Sequence, residues 1–83
     1  MLVGHWQDVK SEERERAIDR WRASRATLRE HGCHFWVFAS TDTPGRYLEF
    51  AEAPDSATLT TALAHAGMVY SAEPMYLTEV ELN

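Results

Sequence analysis

The chain has 83 residues and a formal net charge of −5, which leaves room for one domain and argues against general nucleic-acid binding, where basic patches supply the affinity. No apolar run approaches the roughly 20 residues that span a bilayer, and Met1-Leu2-Val3-Gly4-His5 lacks the basic-then-apolar pattern of a signal peptide. Cys33 is the only cysteine, so no intrachain disulfide or Cys-based zinc motif can form, and a lone reduced thiol fits a cytoplasmic protein.

Residues 2–7 are short and apolar, as expected of a first strand. A helix follows, with Ser11 placed to cap it and Glu12 and Glu13 suited to its N-terminal dipole. Ala17, Trp21, Ser24 and Leu28 form its narrow apolar stripe, Ile18 lies at the border, and Gly32 stops it. The run Phe35-Trp36-Val37-Phe38 predicts a strand apolar on both faces. Turn formers Ser40-Thr41-Asp42-Thr43-Pro44-Gly45 then lead into a strand over residues 46–52, which makes an antiparallel hairpin. Pro54-Asp55-Ser56 opens a second helix with Leu59, Ala62, Leu63 and Ala66 at helical spacing and Gly67 at its close. A last strand is expected over about residues 75–82, with Tyr76, Thr78, Val80 and Leu82 on one side.

The order is βαββαβ, which predicts an α+β, ferredoxin-like domain: a four-stranded antiparallel sheet with two helices on one face. If Leu48 and Phe50 face the helices, the opposite face carries His34, Trp36, Phe38, Tyr47 and Glu49. Three aromatics on an uncovered face call for a partner. So does the small core of a chain this short, which has no disulfide to help it. A homodimer stacking sheet on sheet, and so closing into a barrel, satisfies both.

The stretch His31-Gly32-Cys33, a strand, Pro44-Gly45, a strand bearing Glu49, Asp55 at a helix start and Ala64-His65 near its end resembles the antibiotic biosynthesis monooxygenase-like proteins of the dimeric α+β barrel superfamily. The resemblance implies a dimer, a small aromatic substrate and a cofactor-free reaction. In that reaction a deprotonated, electron-rich phenol itself passes an electron to dioxygen, so neither metal nor flavin is required. It also matches His65 to the haem-ligating position of haem-degrading relatives. Those relatives use an Asn in the first strand, however, and the only Asn of this chain is Asn83. A further departure is that Phe50 is followed by Ala51 and Ala53 where the family commonly carries a large aromatic.

His5, on a central strand, and Glu49 are the candidate general bases. Each also has a plain structural reading, His5 as a histidine bonded to a neighbouring strand and Glu49 as the partner of an arginine. Trp36, Phe38 and Tyr47 are candidates to hold a flat substrate, with His65 beside them. The three aromatics equally suit a filled dimer interface. Six of the eight basic residues lie on the first helix, and Arg14, Arg22, Arg25 and Arg29 share one sector. That sector reads as a solvated, salt-bridged face or as a site for an acidic partner. Two functions therefore stand side by side: a small-molecule enzyme or binding protein, and a non-catalytic dimer whose aromatic face is only its interface.

Overall fold

The computed structural model describes residues 1–68 and 74–82. Its elements run β1 (Leu2–Asp8), a single 3-10 turn (Ser11–Glu13), α1 (Arg14–Glu30), β2 (His34–Ala39), β3 (Arg46–Glu52), α2 (Ser56–His65) and β4 (Met75–Leu77). The four strands form one sheet in the order β2-β3-β1-β4, with every neighbouring pair antiparallel. This is the expected ferredoxin-like βαββαβ arrangement. No helix among the described residues is long and apolar enough to cross a membrane.

Both helices end by the same device. After α1, Gly32 takes a positive φ of 74°, Cys33 N donates to Leu28 O at 2.9 Å and Gly32 N donates to Arg29 O at 3.0 Å. After α2, Gly67 takes a φ of 62°, Met68 N donates to Leu63 O at 3.2 Å and Gly67 N donates to Ala64 O at 3.1 Å. These paired bonds satisfy carbonyls that the helix itself leaves open, and a side chain would resist that backbone. At the other end of α2, the Asp55 carboxylate accepts from Thr58 N at 2.7 Å. Ser11 does not cap α1 as the sequence suggests. The chain first makes the 3-10 turn, and the Ser11 hydroxyl turns to Glu12 Oε2 instead.

The core lies between the helices and one face of the sheet. Ala17, Trp21, Ser24 and Leu28 of α1 are buried against it, as the stripe predicted, and Leu59 and Ala62 of α2 join them. From the sheet come Val3, His5, Phe35, Glu49 and Ala51. Two sequence expectations change here. Cross-strand partners share a face, and β2 pairs with β3 so that Trp36 meets Phe50 and Phe38 meets Leu48. Leu48 and Phe50 therefore belong to the outer face, while Tyr47 and Glu49 turn toward the helices, the reverse of the predicted assignment. The physical reason is register: buried Phe35 pairs with Ala51 and buried Val3 pairs with it from the other side, which sets residues 47, 49 and 51 toward the helices. Second, β4 ends at Leu77 rather than near residue 82. Leu77 pairs with Leu2, the first residue of β1, so residues beyond it have no strand alongside in their own sheet.

Candidate functional site

His5 of β1 and Glu49 of β3 are direct cross-strand partners. Both side chains enter the space under the helices, with only 2 % of His5 and 8 % of Glu49 exposed. Nδ1 of His5 lies 3.8 Å from Oε2 of Glu49. Gln7 is two residues beyond His5 and so shares its face. With the Gln7 amide oriented so that its nitrogen faces the same Glu49 oxygen, it donates to that oxygen and its amide oxygen accepts from Arg20 Nη2 at 3.2 Å. A polar chain thus runs from His5 through Glu49 and Gln7 to Arg20 on α1.

This chain opens on a cleft of about 160 Å³ lined by Gln7, Arg20, Ser24, Glu49, Gly67 and Met68. The carboxylate and imidazole side by side are suited to accept and return a proton. The guanidinium of Arg20 and the hydroxyl of Ser24 supply donors for a ligand oxygen.

The aromatic candidates divide between the two faces. Tyr47, the cross-strand partner of Gln7, packs its ring 5.1 Å from that of Trp21 on the helix side. Trp36 and Phe38 are exposed on the outer face. There Phe38 meets Phe50 edge-on at 6.0 Å, His34 stacks beside Trp36 at 5.8 Å, and the Arg46 guanidinium lies 4.7 Å over Trp6. Gly4 belongs to this face too: a Cβ there would fall 2.9 Å from Phe50 Cε1, so the glycine makes room for the ring.

No protein-family model and no curated protein matches the chain. Solved structures do. One, a crystal structure of an antibiotic biosynthesis monooxygenase, superposes with a TM-score of 0.69 at 21% identity, covering 99% of this chain and 100% of that one. Another, from Deinococcus radiodurans and provisionally given the same designation, superposes with a TM-score of 0.70 at 19% identity, covering 100% of this chain and 97% of that one. The chain has the antibiotic biosynthesis monooxygenase fold. The resemblance drawn from the sequence is borne out at that level, and fold by itself does not carry activity.

Within this monooxygenase fold the remaining candidates stand apart from the His5–Glu49 pair. His65 is exposed at the end of α2, its ring 4.7 Å from that of His31, whose Nδ1 is 3.0 Å from Thr27 O. Cys33 is buried; burial pushes its thiol up, with the charges of Asp55 and Glu52 adding to the effect, so it is a poor nucleophile. Among the described residues no group of three or more His, Cys, Asp or Glu could hold a metal ion. Sequence reasoning did not single out Gln7 or Arg20. The signal for Gln7 was its two-residue spacing from His5, which puts both on one face. Nothing in the sequence alone tied Arg20 to that face.

Proposed function

We propose that the chain is a small-molecule-binding subunit of a homodimer, its ligand held on the helix side of the sheet against Glu49, Gln7 and Arg20. The reaction that suits this site best is cofactor-independent oxygenation of an electron-rich aromatic. The observation that supports the reading is the polar chain from His5 to Arg20. Burying an imidazole and a carboxylate in so small a core is costly unless each finds partners, and here the half-buried Gln7 leads from them to a cleft rather than into packed side chains. In this reading Glu49 or His5 removes a phenolic proton, and the phenolate transfers one electron to dioxygen. Recombination of the two radicals then forms the new carbon–oxygen bond. Tyr47 lies beside the site at the Gln7 position. Trp36 and Phe38 contribute the surface on which a second subunit closes the barrel, and His65 stays outside the reaction.

A second reading, a non-catalytic dimer, is favoured by one dimension. The cleft, at about 160 Å³, is smaller than the roughly 300–1,000 Å³ usual for ligand pockets. Oxygen uptake over a panel of phenols and hydroxynaphthalenes, with ligand-induced shifts in melting temperature, separates the two. The oxygenase reading expects uptake by the wild-type chain that falls about 10²–10⁴-fold in Glu49→Gln. Neither uptake nor a thermal shift with any member of the panel would leave the non-catalytic dimer as the function.

A further inference from the structure

The cleft at the end of the polar chain is lined by two opposite charges that do not meet. Glu49 lies on one side of the Gln7 amide and Arg20 on the other. In either orientation of that amide its oxygen accepts from Arg20 Nη2, at 3.2 or 3.4 Å. Among the described residues Arg20 has no ion-pair partner. A guanidinium carries five N–H donors in a fixed fork, and the bond to Gln7 uses one of them, so a pair remains to face a carboxylate. Ser24 follows Arg20 by one helical turn, which puts its hydroxyl on the same side of α1.

The rest of the lining is apolar: the turn after α2 supplies Ala66, Gly67 and Met68. The volume, about 160 Å³, is close to the roughly 150 Å³ of a cavity that takes one benzene ring. A single ring therefore fills the space, and fused rings exceed it. The two ends then fix the substituents. Glu49 accepts a hydrogen bond, which a phenolic hydroxyl can donate, and Arg20 with Ser24 donates, which suits an anionic group that only accepts. The reverse orientation would set two carboxylates together and is disfavoured by their repulsion.

We propose that the ligand of this cleft is a single-ring hydroxybenzoate, its carboxylate on Arg20 and Ser24 and its hydroxyl on Glu49. An ortho hydroxyl is already bonded to its own carboxylate, so the meta and para isomers are the ones with both ends available. Arg20 is then the residue that sets specificity, selecting acids over neutral phenols of the same size. This ligand assignment rests on the binding site proposed above and names its substrate class. It concerns binding, before any reaction with dioxygen.

Calorimetric titration of the full chain at neutral pH with meta- and para-hydroxybenzoate, phenol and benzoate tests it. The better hydroxybenzoate is expected to bind about tenfold or more tightly than phenol or benzoate, each of which lacks one end. Arg20→Gln should abolish the advantage over phenol, and Arg20→Lys, which keeps the charge without the fork, should retain part of it. Arg20 is exposed, so both variants are expected to fold, with melting temperatures near that of wild type. Phenol or benzoate binding as tightly as the hydroxy acids, or an advantage that survives Arg20→Gln, overturns the assignment and leaves the binding site standing. So does binding confined to hydroxynaphthalenes. Binding of none of these compounds removes the site itself, and the assignment with it.

Discussion

The two faces of the sheet solve opposite problems. The helix side is crowded: Ala17, Ala51 and Ala62 are buried there with the polar side chains of His5 and Glu49, and the half-buried Gln7 leads from Glu49 to Arg20. The outer side is open: Trp6, Trp36, Phe38, Leu48 and Phe50 spread over it with no helix above them. Polar chemistry thus sits where water is excluded, and apolar surface sits where water would reach it. A monomer rarely keeps that second arrangement. In the function proposed above the faces take different tasks, proton chemistry under the helices and association on the outside.

The largest expected effect sets a core residue against outer ones. Leu28, on the inner side of α1, is fully buried, and Leu28→Ala should cost about 2–5 kcal/mol in urea unfolding, the usual toll of an unfilled core cavity. Trp36→Ala with Phe38→Ala should change unfolding of the isolated subunit by less than about 1 kcal/mol while weakening dimer association by about 2 kcal/mol or more. Similar unfolding losses from both substitutions would erase the division of labour between the faces.

A smaller effect probes the polar chain. Glu49→Ala removes the acceptor for Gln7 and the neighbour of His5, and should destabilise the fold by about 1–3 kcal/mol. A double-mutant cycle with Gln7→Ala should show a coupling of about 0.5 kcal/mol or more. Strict additivity in that cycle would mean that the two residues act separately, and the chain would lose its link to Arg20.

The smallest effect belongs to the rim of the helix side. Thr58 N–H donating to the Asp55 carboxylate holds that carboxyl below its ordinary range. A lowered folded value stabilises the fold above the unfolded value, and the contribution disappears as pH falls through the folded one. Melting temperature of the wild type should therefore lose a small increment below about pH 4 that Asp55→Ala lacks, since the variant has already lost it at neutral pH. Parallel melting profiles for the two chains across that range would contradict the cap's role.

Much of the fold was legible because local rules act within a few residues of their cause. The α1 stripe of Ala17, Trp21, Ser24 and Leu28, the stops at Gly32 and Gly67, the Asp55 opening of α2 and the hairpin over residues 40–45 all follow from helical spacing, backbone preference and turn chemistry. Capping at Ser11 failed locally too, because the chain had a competing 3-10 turn available. Of the candidate site, the residue types His5 and Glu49 were legible, and their pairing was not: they lie 44 positions apart in sequence (49 minus 5) and meet only through the β1–β3 register.

By itself, then, the sequence determined the element order and the periodic faces of the helices, since both are written in short-range spacing. Only the tertiary structure decided which face of β3 turns inward. Tyr47, Glu49 and Ala51 alternate with Leu48 and Phe50, and an alternation that carries bulk on both sides can be buried on either one. A one-residue change of register would exchange them. The choice was made by the register that sets Ala51 between buried Val3 and Phe35, which exists only once the strands have paired.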